Sequence, residues 1–86
     1  MTVHEPAPLV LIGPRKLNDR ICRLMYVRET DEAWTEEWTD RAWVRSPVLV
    51  RHLLSAPAAK RATLARRGIP AEVGEWDREQ PRAVSC

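Results

Sequence analysis

Cys22 with His52 is a conceivable nucleophile and base pair for covalent chemistry in this chain of 86 residues. A cysteine attacks as its thiolate, which needs an electropositive and partly exposed setting. Cys22 instead stands among Ile21, Leu24, Met25, Tyr26 and Val27, where a buried, inert thiol is expected. A zinc site from Cys22, His52 and Cys86 would need ligands from unrelated segments, without the short ligand spacings that structural zinc modules use. Glu32, Glu36 and Asp40 share one face of a helix and suit a hard cation, but such acidic faces are ordinarily just solvated. The sequence holds no HExxH, GxSxG, P-loop or GxGxxG motif. It therefore predicts no enzyme, no cofactor and no metal.

Binding chemistry is better represented. Four tryptophans and no phenylalanine make an unusual aromatic set. Tryptophan is both a large core filler and the residue type that dominates binding hot spots. On a helix over 31–43, Trp34 and Trp38 share one face and Trp43 falls about half a turn away, so tryptophan faces two sides. Trp43 is then the expected exposed anchor, with Trp34 and Trp38 in the core. The alternative is a hairpin with Trp38 and Trp43 as a cross-strand aromatic pair around Thr39 to Ala42.

Net charge is only +2, yet it is unevenly spread. Arg45, Arg51, Lys60, Arg61, Arg66 and Arg67 form a block with no acid, opposed by Glu29, Asp31, Glu32, Glu36, Glu37 and Asp40. The arginine excess suits recognition of phosphate or carboxylate, and a GC-rich, bacterial-like composition produces the same excess without function. Arg61 to Pro70 loosely resembles the helix-turn-helix motif: an alanine-containing helix, a glycine turn and a following apolar residue. Leu64 stands where that motif has its packing alanine, and the following Ala71 to Glu79 is acidic, a poor surface for phosphates. The segment reads as an ordinary helix with a glycine C-cap.

The elements that must position these residues follow from local signals. Leu9 to Ile12 reads as a short strand ended by Gly13-Pro14, and Gly13 to Asp19 as a loop. Arg20 to Arg28 is ambiguous, with strand favoured over a helical template. Thr30 or Asp31 caps the helix over 31–43. Ser46-Pro47 predicts a helix carrying Val48, Leu49, His52 and Leu53, and Pro57 starts a helix over 58–67 ended by Gly68 at C′. Ala71 to Glu79 predicts a further short helix with Val73 and Trp76 inward.

The expected fold is thus α+β, a short N-terminal strand pair followed by two to four helices, with a mostly α fold as the alternative. Residues 1–8 are expected to form a flexible arm, 9–79 one small domain and 80–86 a tail. The terminus lacks the basic and apolar regions of a signal peptide, no segment suits a bilayer, and two distant cysteines fit a cytoplasmic setting. The expected function is that of a small non-enzymatic adaptor or accessory protein. Its partner, another protein or a second copy, meets the tryptophan-rich acidic segment and adjacent basic helix through Trp34, Trp38, Trp43, Arg51, Arg61, Arg66 and Arg67. The alternative is a small nucleic-acid-binding regulator using the block from Arg45 to Arg67.

Overall fold

A computed structural model of the chain describes residues 7–70. The strands β1 (Leu9–Leu17), β2 (Arg20–Val27), β3 (Glu32–Thr39) and β4 (Ala42–Ser46) precede two short helices, α1 (Val50–Leu54) and α2 (Arg61–Arg66). The strands form one antiparallel meander in the order β1-β2-β3-β4. This corrects the expectation of a strand pair followed by two to four helices, and the mostly α alternative with it. The expected helix over 71–79, the N-terminal arm as far as residue 6 and the tail lie outside the described residues.

The helix over 31–43 is replaced by the β3–β4 hairpin, and the reason lies in the residue types. Glu32-Ala33-Trp34-Thr35-Glu36-Glu37-Trp38-Thr39 is rich in tryptophan and threonine, which suit a pleated surface. A spacing of four places Trp34 and Trp38 together on either a helix or a strand. The two-residue turn Asp40-Arg41 then folds the chain so that Trp38 pairs with Trp43 and Glu36 with Arg45. All three tryptophans therefore share one face of the sheet instead of two sides of a helix.

Three further boundaries move for identifiable reasons. β1 does not stop at Gly13-Pro14 but passes through them as an irregularity between Ile12 and Arg15, a place where a sheet tolerates proline. Ser46 does not cap a helix. It closes β4 opposite Thr35, and its Oγ accepts the Val48 N–H at 3.2 Å, so α1 starts only after Leu49. Pro57 does not start a helix either: its carbonyl accepts the Lys16 N–H at 2.8 Å, and the Ala59 N–H donates to Pro14 O at 3.1 Å. This segment covers the outer edge of β1, and α2 begins four residues past Pro57, at Arg61.

Crossing that edge carries the chain from one face of the sheet to the other. On the first face α1 completes a core of Ile12, Cys22, Leu24 and Leu53, flanked by Leu11, Leu17, Val48 and Val50. Thr35 is the buried polar member; its hydroxyl reaches Val48 O at 2.7 Å and Ser46 O at 2.9 Å, tying β3 to the chain entering α1. On the second face Leu64 and Ile69 close over Ile21, with Trp38, Trp43 and Ala59 packed around them. Among the described residues no helix is long and apolar enough to cross a membrane.

Gly68 keeps the role expected of it. At φ +77° it occupies the left-handed conformation that ends α2. Its N–H donates to Ala65 O at 3.0 Å, and the Ile69 N–H to Leu64 O at 2.9 Å, the paired bonds of a Schellman cap. Ile69 and Leu64 then meet in the second core. The cap thereby fixes where the last turn of α2, with Arg66 and Arg67, stands relative to the sheet.

Candidate functional site: an arginine cleft beside Trp38

The β1–β2 and β3–β4 turns of a meander lie at the same end of the sheet, and α2 ends there too. The Arg67 Nη1 donates to Asp19 O in the first turn at 3.3 Å. Between α2 and the second turn lies a cleft of about 430 Å³ lined by Trp38, Arg41, Ala65, Arg66, Arg67 and Gly68. Three arginines thus line the space beside one indole, and among the described residues no acidic side chain lines it. None of the three arginines forms an ion pair among the described residues.

Arg41 is held there by an unusual turn. Asp40 at φ 52° and Arg41 at φ 64° are both left-handed, the pattern of a type I′ hairpin turn that normally takes asparagine or aspartate followed by glycine. Aspartate tolerates that conformation; arginine is strained in it. Arg41→Gly is therefore expected to raise stability by about 1 kcal/mol through relief of this strain, while removing one cation from the cleft. Thermal unfolding measures the gain, and an unchanged or lower Tm would show that the turn holds Arg41 without cost.

Beside the cleft runs an ordered row of side chains on the same face. The Arg23 Nε and Nη2 donate to Glu36 Oε1 at 3.0 and 2.8 Å, and the Trp34 indole N–H donates to Glu36 Oε2 at 2.9 Å. The Arg23 guanidinium lies 4.2 Å above the Trp43 ring, and that of Arg45 lies 4.7 Å from the Trp34 ring. Trp38 and Trp43 meet edge to face, with centroids 5.2 Å apart and planes at 69°. Each contact is of a kind that stabilises aromatic pairs and stacked cations. Trp43 is consequently fixed beneath Arg23 and against the second core, with its indole N–H buried and lacking an acceptor among the described residues. Trp38, not Trp43, is the tryptophan that lines the cleft.

No family model, curated protein or solved structure matches the chain. Any functional reading therefore rests on the placement of its own residues.

The predicted site residues divide into groups. Trp38, Arg66 and Arg67 come together at the cleft, and Trp43 supports Trp38 from the side. Trp34 lies four residues before Trp38 on β3, under Arg45. Arg51 is on α1, across the sheet from α2, so the basic block does not share one face; Arg61 is exposed in the first turn of α2. Arg41 was missed because a helical reading hides turns. Its signal was the pair Asp40-Arg41 standing midway between Trp38 and Trp43.

The residues weighed for catalysis are not assembled. Cys22 is fully buried in the first core, whereas His52 is exposed on α1, and no hydrogen bond joins them. Burial, with a smaller contribution from Glu37, pushes the Cys22 thiol up to about 11, against a partial offset from Arg20. At neutral pH the group is a thiol, and it stays one until the pH nears that value. Iodoacetamide at pH 8 is thus expected to label Cys22 far more slowly in the native protein than in denaturant. Equal rates would contradict the buried placement. Glu32, Glu36 and Asp40 lie on a strand and a turn, with Glu36 engaged by Arg23 and Trp34. Among the described residues no group of three acidic, cysteine or histidine side chains is placed to hold a metal ion.

Proposed function

We propose that the protein is a non-enzymatic binding module that holds an acidic stretch of another protein in the cleft between the β3–β4 turn and the end of α2. The observation that carries this reading is that Arg41, Arg66 and Arg67 line one cleft beside Trp38, with no acidic lining residue among the described residues. Guanidinium groups form strong, oriented hydrogen bonds with carboxylates, and the indole supplies an apolar wall for the stems of glutamate or for a neighbouring aliphatic side chain. The rigid support beneath, from the Trp38–Trp43 contact and the Schellman cap, preorganises the cations before a ligand arrives.

The same wall offers a stacking surface for a nucleobase, which favours single-stranded nucleic acid as the second reading. Two features weigh against it. The cleft is confined to one end of the sheet, and Arg51 and Arg45 are directed elsewhere, so among the described residues no continuous basic track follows a phosphate backbone.

Calorimetric titration of a glutamate-rich peptide and of single-stranded and duplex oligonucleotides, from about 50 to about 200 mM salt, separates these readings. Preferential binding of the peptide supports the proposal. Tighter oligonucleotide binding at the higher salt, with a steep salt slope, would replace it with the second reading.

A further inference from the structure

The two edges of the sheet are treated differently. The outer edge of β1 is covered by Pro57 to Ala59 through the Lys16 and Ala59 amide bonds. No backbone bond covers the outer edge of β4 among the described residues. In an antiparallel ladder, bonded and non-bonded pairs alternate. The two-residue turn closes on the bonded pair Thr39–Ala42, so Ala42, Val44 and Ser46 are engaged with β3. The N–H and C=O groups of Trp43 and Arg45 therefore point outward along the open edge.

Exposed edges are normally guarded by a charge or a proline. Here the only cation on the strand, Arg45, is folded back over Trp34 at 4.7 Å. Pro47 follows the strand and limits its length but does not interrupt it. Val44, on the opposite face, is among the exposed large hydrophobic residues at 48%. An edge of this kind is a template for another strand.

We propose that β4 pairs with β4 of a second copy of this chain, in an antiparallel register centred on Val44. The sequence of the strand is complementary to itself in that register. Trp43 of one copy falls opposite Arg45 of the other, and the reverse, so all four outward groups of each strand are bonded across the two-fold axis. Val44 meets Val44 of the second copy at a non-bonded position, where side chains stand closest. On the other face each Arg45 is brought beside the indole of Trp43 from the second copy, which continues the alternation of arginine and tryptophan already seen between Arg23 and Trp43 and between Arg45 and Trp34. A register moved by one residue turns the arginine and tryptophan side chains to opposite faces and loses this match. The product is one continuous sheet of two meanders.

Sedimentation equilibrium from about 10 µM to about 1 mM spans the range in which small interfaces associate. The parent protein is expected to shift from monomer mass to twice that mass across it. Val44→Asp and Val44→Lys, both at an exposed position, are expected to remain folded by circular dichroism and to stay monomeric throughout. Mixed in equal amounts they should regain the dimer mass, because this register sets the opposite charges face to face. A parent that stays monomeric over the whole range, variants that dimerise as the parent does, or a mixture that stays monomeric would each overturn the proposal. Binding of the glutamate-rich peptide by Val44→Asp should match that of the parent, so the outcome is independent of the cleft.

Discussion

Replacing Glu36 by alanine is expected to destabilise the protein by about 3 kcal/mol, the largest loss foreseen for a residue outside the apolar core. The Arg23 and Glu36 side chains are only 12% and 17% exposed. Removing one partner from such a pair leaves a desolvated charge, and breaking buried pairs in this way costs about 3 to 5 kcal/mol. Glu36 also accepts the Trp34 indole N–H, so a second donor loses its acceptor. For a domain whose total stability is of the order of 5–15 kcal/mol, that loss is a large fraction. Urea unfolding of Glu36→Ala, Arg23→Leu and the double variant completes a cycle. The double variant is expected to lose less than the two single losses combined, because neither charge is then stranded. A loss below about 0.5 kcal/mol in Glu36→Ala would mean that the pair behaves like an exposed one.

Truncating Arg66 and Arg67 together is expected to weaken binding of an acidic peptide about 100-fold, or about 2.7 kcal/mol, while leaving the fold intact. Both side chains are exposed and neither packs in the core. Arg67 gives up one hydrogen bond to Asp19 O, whose length of 3.3 Å marks it as weak. Arg51→Ala is the appropriate control, since Arg51 lies on α1 on the opposite face and is expected to leave affinity nearly unchanged. A loss in the control as large as in the double variant would show a diffuse charge effect rather than a site.

The glycine cap and the strand at 20–27 were legible from local chemistry. Gly68 could be assigned because left-handed backbone at a helix end favours glycine, and the apolar run from Ile21 to Val27 favoured a strand because its β-branched and aromatic residues suit a pleat. Cys22 was expected to be buried for the same reason. The β3–β4 hairpin was harder, because tryptophans four residues apart satisfy helical and strand periodicity alike. Only the mirror pairing of 38 with 43 and of 36 with 45 separates the two, and that pairing is a property of the turn. Asp40-Arg41 lacks the glycine that usually announces such a turn. The two proline starts failed because Pro47 and Pro57 lie in segments recruited by distant partners, Thr35 in one case and β1 in the other. The arginine cleft could not be read without the hairpin, since Arg41 and Arg66 meet only through the tertiary fold.

The proposed role of Trp38, Arg41, Arg66 and Arg67 is to form one site for an anionic segment. It is tested most directly by titrating a glutamate-rich peptide into isotope-labelled protein and following the amide and indole proton–nitrogen correlations. The largest shifts are expected at the Trp38 indole and at the amides of Arg41, Arg66, Arg67 and Gly68, with the Trp34 indole and the amides of α1 nearly still. Shifts centred on Trp34 or on α1, or no shifts near Arg66 and Arg67 at saturating peptide, would contradict it.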